Sequence, residues 1–312
     1  MDVCESYADD FHAASCSSEL DEISRALNQA AGVMELWAEG NRMAISAPKS
    51  TMTLFTPWTK QVNAQVPVQI GGNTIPMKKT PKLLGVTLDP IFTFSAHSVA
   101  IARKASSRLK ILRAYSNSSF GHYKECLLNT YKLFVRSLID FAAPIVFPNY
   151  SRTSIERLQK IQNRSLRLVL GCHSATAIDH LHSECKELPV AKHLHLLSAQ
   201  FLALSLQPDH PSHRFVTLDR DRRPMKETLR SKCLPDVQPF LNDEGIAERG
   251  SYKATKVSIH TKIVWESINS SETNRVLAQQ PPPIDPTESY LPRQTRVILS
   301  QRPITLLPSK RW

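Results

Sequence analysis

The chain has 312 residues, enough for a full core and about one to three domains. Lys and Arg number 39 against 28 Asp and Glu, a formal net charge of +11 that suits contact with a polyanion. No apolar run approaches the roughly 20 residues of a membrane-spanning helix, no signal or transit segment follows Met1, and the six cysteines form no CxxC pair. These features predict a soluble intracellular protein with reduced thiols, nuclear or cytoplasmic, that has no membrane partner.

Charge divides along the chain. Residues 1–40 carry nine acidic side chains against Arg25 alone, whereas residues 101–170 carry thirteen basic ones against Glu125, Asp140 and Glu156. Residues 2–17 read as two short arms of a hairpin around Ala8-Asp9-Asp10. Leu20, Ile23, Leu27, Ala30, Met34 and Trp37 then recur at three- and four-residue steps, one apolar stripe on a helix. Ser17 or Ser18 can cap its start and Gly40-Asn41 can end it. From Met43 to Pro90 short extended runs alternate with Pro and Gly. Met52–Thr56 and Leu83–Leu88 look like strands, and Val66–Ile70 before Gly71-Gly72-Asn73 looks like a hairpin arm.

After Pro90 the pattern is helical. Val99, Ala102, Ala105, Leu109 and Leu112 form a stripe with Ser95 as cap, and a second helix is predicted from His122 to Phe141. A third opens with Thr153-Ser154-Ile155-Glu156, read as a capping box, and ends at Gly171. Its outward face carries Arg152, Arg157, Lys160, Arg164 and Arg167. A fourth spans about Pro189 to Leu206. Beyond Gln207, repeated prolines predict a loosely folded region with some helix near Val257–Ile268. Cys172, His173, His180, His182 and Cys185 lie close together, but their CH-x6-H-x-H-x2-C spacing fits no common zinc finger.

Two adjacent aspartates on a tight turn can gather hard divalent cations, which keep water and substrate phosphates as further ligands. Two such ions can clamp the attacking and leaving oxygens of a phosphoryl displacement. Taken alone, Tyr7-Ala8-Asp9-Asp10 reads more readily as a surface turn with two solvated acids. Its surroundings form an ordered series. The amphipathic helix with Trp37 comes next, then Ile45-Ser46-Ala47-Pro48-Lys49-Ser50, Phe55 and Pro81-Lys82-Leu83-Leu84-Gly85-Val86-Thr87-Leu88-Asp89. Basic helices with Ala102-Arg103-Lys104-Ala105 and Ile155 to Gly171 close it. The series resembles the reverse transcriptases (RNA-directed DNA polymerases) of non-LTR retrotransposons, especially the jockey and ingi types, over residues 4–205. Leu291-Pro292-Arg293 to Leu299-Ser300-Gln301 resembles a stretch farther along the same elements.

The resemblance implies an α+β fold. Residues 1–92 would be the rear of a polymerase palm, built of β-hairpins and a helix. Residues 95–206 would be an all-helical thumb, and 207–312 a Pro-interrupted, loosely structured connection region. Asp9 and Asp10 would be catalytic metal ligands for two Mg2+ or Mn2+ ions, framed by Tyr7 and Ala8. Lys49 would lie near the phosphates of an incoming deoxynucleoside triphosphate, although an ordinary solvated lysine reads the same. Leu84, Gly85 and Val86 would grip the primer, and a buried strand is compatible with that role. Arg103, Lys104, Arg108, Arg157, Lys160, Arg164 and Arg167 would hold the DNA primer and RNA template by charge. In the family a further aspartate strand and a nucleotide-selecting segment precede the turn by far more than six residues. Residues 1–312 are therefore expected to be a truncated form without polymerase activity of its own. The alternatives are a non-catalytic basic helical module that binds RNA or DNA and an element remnant without function.

Overall fold

A computed structural model describes residues 3–7, 10–117, 122–217, 228–241 and 252–269, and the chain divides into two compact units, residues 1–92 and 93–312. The structure is mixed, with long helices and three two-stranded antiparallel hairpins.

In the first unit β1 (Val3–Tyr7) pairs with β2 (Asp10–Ala14), in a register running from Val3 opposite Ala14 to Tyr7 opposite Asp10. The hairpin expected around the aspartates is therefore present; Ala8 and Asp9, between its strands in sequence, lie outside the described residues. Helix α1 (Leu20–Gly40) follows, with Glu19 rather than Ser17 or Ser18 at its N-cap position. Ser17 instead braces the entry: its Oγ accepts from the Glu19 N–H at 3.1 Å and donates to Glu22 at 2.6 Å. Ile23, Ala30, Ala31 and Ala38 are the buried face, while Trp37 of the expected stripe stands 49% exposed. The stripe thus leans toward alanines that permit close packing.

A small core of Ile23, Met52, Leu54, Val66 and Val68 joins α1 to the extended segments. The Ser24 hydroxyl donates to the Pro67 carbonyl at 2.6 Å, and the Asn28 amide donates to the same carbonyl and accepts from the Gln69 N–H at 2.9 Å. Glu35 accepts from the Gly71 N–H. These contacts set β3 (Gln69–Ile70) and β4 (Asn73–Thr74), whose turn uses Gly71 and Gly72 at positive φ, against the helix. Met52–Thr56 forms no strand; it makes a single parallel bridge, Met52 with Met77. The expected strand Leu83–Leu88 is a tight hairpin instead, β5 (Lys82–Leu83) against β6 (Val86–Thr87).

In the second unit α2 (Ser95–Tyr115) has Phe94, not Ser95, at the N-cap, in a left-handed conformation. The stripe is also offset, since Ile101 is buried and Val99 is 39% exposed. The predicted helix from His122 to Phe141 is α3 (Lys124–Tyr131), which passes through a π-helical turn at Lys132–Arg136 into α4 (Ser137–Asp140). Glu187 accepts from Lys132 at 2.8 Å and from Arg136, so both cations of that turn converge on one buried carboxylate. After α5 (Ala143–Val146) comes α6 (Arg152–Leu170), capped by Ser151, whose hydroxyl accepts from the Ser154 N–H at 3.2 Å. The capping box read at Thr153 is thus two residues late, and Glu156 pairs with Arg152 at 2.7 Å instead. Gly171 ends α6 at φ 70°, as its position predicts.

Helices α7 (Ile178–Cys185) and α8 (Val190–Ser205) follow, then α9 (His213–Thr217), α10 (Leu229–Val237) and α11 (Tyr252–Asn269). Leu112, Leu127, Tyr131, Ile161, Leu166 and Leu181 belong to one core. A second joins Leu196, Leu202 and Leu206 of the α8 segment to Cys233, Val237, Ile259 and Ile263. The helix expected near Val257–Ile268 is α11; α10 at 229–237 was not expected, and both pack apolar faces on α8. The stretch Leu291 to Gln301 lies outside the described residues. Among the described residues no helix is long and apolar enough to cross a membrane.

Candidate functional site

At the first hairpin the strand register sets Tyr7 directly opposite Asp10, with the Tyr7 ring 62% exposed and Asp10 open to solvent. Phe11 meets Trp37 edge-to-face at 5.4 Å between centroids, which fastens β2 to α1 and accounts for the half-exposed indole. Asp9 and Ala8 are outside the described residues. An accessible aspartate oxygen is a donor that Mg2+ accepts. Among the described residues, however, no group of three or more His, Cys, Asp and Glu stands ready to hold a metal ion. Carboxylates of the turn would therefore need water, phosphate oxygens or another acidic group to complete a coordination sphere.

Lys49 lies on an exposed turn whose backbone closes by Lys49 N–H to Ser46 carbonyl at 3.1 Å, and among the described residues no hydrogen bond or ion pair joins it to Asp10. Leu84 and Gly85 form the turn of the β5–β6 hairpin at φ 43° and 90°. A left-handed leucine is uncommon and costly, and this one points a 53% exposed side chain outward while Val86 is buried. The hairpin thus presents an apolar tip on a constrained turn.

The basic residues fall into two groups. Arg108 donates to the Phe134 carbonyl at 2.9 Å, Arg157 to the Ser98 hydroxyl at 2.6 Å, and Arg167 to the Thr176 carbonyl at 3.1 Å. These three tie helices and turns together. Arg103, Lys104, Lys160 and Arg164 are exposed and make no ion pair with a described residue. Burial first, and then the charge of Lys104, holds the His97 imidazole below its ordinary value, so the α2 start adds no further cation. Lys110 and Arg113, not among the expected contacts, share with Arg164 and Arg167 an open groove of about 720 Å3 between α2 and α6. Their spacing of three residues, and that of Lys110 seven residues after Arg103, was the available signal.

The His/Cys cluster has structural roles. His182 is buried, its Nδ1 2.8 Å from the Glu187 carbonyl and its Nε2 3.1 Å from the Gln159 amide. Those partners select a neutral ring that donates from Nδ1 and accepts at Nε2. Cys185 is a core residue whose thiol is pushed up by burial. Sequence reading also missed a constellation spread over three helices. His195 Nε2 is 2.6 Å from Asp236, Lys262 is 3.0 Å from the same carboxylate, and Cys233 Sγ is 4.0 Å from His195 Nδ1. The order resembles nucleophile, base and orienting acid. Cys233 is nevertheless fully buried, and burial pushes its thiol up to about 12, so it is a protonated core group.

Neither a family model nor a solved structure matches the chain. Curated relatives do. The chain is 24% identical over 172 residues to the probable RNA-directed DNA polymerase from transposon BS of Drosophila melanogaster. It is 26% identical over 175 residues to the probable RNA-directed DNA polymerase from transposon X-element of the same organism. Each match takes in 53% of this chain but only 18% of the relative, so the chain spans less than a fifth of either protein.

Proposed function

Taking the chain as a relative of transposon RNA-directed DNA polymerases, we propose that it is the metal-turn and nucleic-acid-holding portion of a reverse transcriptase. The observation that carries this reading is the similarity to both transposon polymerases over 53% of the chain. The β1–β2 hairpin, whose second strand opens on Asp10, supports it. Residues 1–92 act as rear palm, residues 95–206 as thumb, and 207–312 as the connection that follows.

Asp9 and Asp10 supply carboxylate oxygens for divalent ions, which when bound would draw charge from the attacking and leaving oxygens of nucleotidyl transfer. Tyr7, paired across from Asp10, fixes one wall of the turn. Lys49 offsets the charge of a deoxynucleoside triphosphate, and the Leu84-Gly85-Val86 turn presses on the primer strand. The exposed cations of α2 and α6 hold the RNA template and DNA primer by their phosphates. On this reading residues 1–312 by themselves do not extend a primer, because Asp9 and Asp10 alone cannot hold two metal ions in register.

Two primer-extension experiments with Mg2+ or Mn2+ test this. The chain alone should yield no product. Fused behind the segment that precedes the matching region in the transposon BS relative, it should yield metal-dependent product that Asp9→Asn abolishes. A fusion equally active with Asp9→Asn and Asp10→Asn would overturn the assignment of the turn. Template-dependent synthesis by the chain alone would overturn the expected inactivity. The second reading, a non-catalytic module binding RNA or DNA, is favoured by the exposed cations of α2 and α6, which pair with no described residue. It predicts binding indifferent to Asp9→Ala and no activity in any fusion.

A further inference from the structure

Between residues 43 and 92 the first unit carries five lysines against a single acid, Asp89, and that side chain is buried. On the same stretch two aromatic rings stand in the open. Phe55 and Phe92 stack at 4.6 Å between centroids and 21° between planes, and each residue is 39% exposed. Stacking covers one face of each ring, and the exposed remainder is apolar π surface that gains by being covered.

Backbone contacts fix the pair in place. The N–H of buried Thr56 donates to the Pro90 carbonyl at 3.0 Å, which ties the segment carrying Phe55 to the turn carrying Phe92. The Phe92 N–H donates to the Asp89 carbonyl at 2.9 Å, and Phe92 sits at φ 50°. A left-handed phenylalanine is costly, and here the ring so held is left at the surface rather than sunk in the core. A platform set before binding loses little freedom when a ligand lands on it.

Pro90 also lines a pocket of about 180 Å3 together with Thr53, Asn63, Lys78 and Lys79. Pockets that enclose a whole small molecule run to about 300–1,000 Å3, so this one serves as the flank of a larger contact. Lys78 and Lys79 are exposed, and Lys79 Nζ is steadied by the Asn63 side-chain oxygen at 2.6 Å. Open aromatic rings beside lysines, with no exposed acid on the stretch, suit single-stranded nucleic acid, whose bases are free to stack and whose phosphates follow close by. A base inside a duplex has both faces covered by its neighbours and offers the rings nothing. We infer that the Phe55–Phe92 stack takes an unpaired base of single-stranded nucleic acid, with Lys78 and Lys79 on the adjoining phosphates. The site uses none of the residues assigned above to the primer or to the cations of α2 and α6. Its choice of a nucleobase over another flat aromatic ligand rests on the reading of the chain as part of a nucleic-acid polymerase.

The test is fluorescence anisotropy of the full chain with labelled oligothymidylate and with an abasic phosphodiester strand of the same length. Wild type should bind the base-bearing strand at least about fivefold more tightly. Phe55→Leu and Phe92→Leu keep apolar bulk without an aromatic face, and each should erase that preference. Phe55→Tyr should keep it, as should the control Phe215→Ala on α9 of the second unit. Lys78→Gln with Lys79→Gln should weaken both strands alike and lower the log–log salt slope by about 1.4, at about 0.7 per phosphate. Equal affinity of wild type for the two strands, or a preference that survives both leucine variants, would overturn the assignment. Binding of a primer–template duplex in the same assay judges the polymerase reading apart from it, and absence of both duplex and strand binding would overturn the two together. Displacement of the strand by free thymidylate at equal base concentration would make this a mononucleotide site and overturn the strand assignment.

Discussion

Arg157 and Arg164 sit two turns apart on the same helix, yet the structure assigns them opposite consequences. Arg157 reaches from α6 to Ser98 on α2 at 2.6 Å, and Ser98 is fully buried. A hydrogen bond to a charged group contributes about 1.5–3 kcal/mol. Arg157 is partly exposed, which screens the charge, and Ser98 keeps contacts with the Ser95 carbonyl at 2.8 Å and Ser154 at 3.2 Å. Arg157→Ala should therefore cost about 1–2 kcal/mol, around the bottom of that range after screening. For a body of this size the unfolding temperature should fall by about 2–8 °C. Arg164→Ala should leave the melting temperature within about 1 °C, since the exposed side chain has no partner among the described residues. Circular dichroism melts beside anisotropy with a primer–template duplex separate the two effects. The reasoning is refuted if Arg157→Ala weakens duplex binding without lowering the melting temperature, or if Arg164→Ala lowers the melting temperature while binding is intact.

Ile263 is 1% exposed among Leu196, Leu202 and Val237, so Ile263→Ala should cost about 2–5 kcal/mol. Hydrogen exchange should then accelerate across Tyr252–Asn269, and unchanged exchange would contradict the docking of α11 on α8. Burial holds the imidazole of His182 below its ordinary 6.5, against the opposing hydrogen bond to the Glu187 carbonyl. The unfolded chain then takes up that proton more readily, so the stability from neutral His182 is complete above pH 6.5 and lost as pH falls toward the folded-state value. The melting temperature should drop between pH 7 and 5, and less steeply in His182→Gln; identical slopes would remove His182 as the cause. Gly85→Val places a β-branched residue at φ 90° and should destabilise the β5–β6 hairpin by at least about 1–2 kcal/mol. Slower hydrogen exchange at Leu83 and Val86 in that variant would contradict the turn.

Periodicity made the helices legible and Gly pairs made the turns legible, because both signals are local. The β1–β2 hairpin followed from the aspartate turn, and α6 ended at Gly171 as its left-handed geometry requires. Errors arose where several groups could play one part. Ser151, Thr153 and Ser154 all offer hydroxyls within four residues, and the backbone chose Ser151. Val99 and Ile101 are both apolar, and only packing decided that Ile101 is buried while Val99 stays exposed. Pro235 concealed α10, although Thr228 and Ser231 form a reciprocal cap at its start. At the candidate site, sequence distinguished basic helices from the acidic head but not one arginine from another. Arg108, Arg157 and Arg167 are held by Phe134, Ser98 and Thr176, partners 26, 59 and 9 residues away, so only the packed structure tells them from Arg164.

The most direct measurement of the central claim is the affinity of the wild-type 312-residue chain for an RNA-templated DNA primer as salt is raised. The account predicts sequence-tolerant binding that weakens steeply with salt, with a log–log slope of about −3 or steeper from the exposed cations of α2 and α6. Absence of binding at low salt, or an affinity that does not change as salt rises, would contradict it.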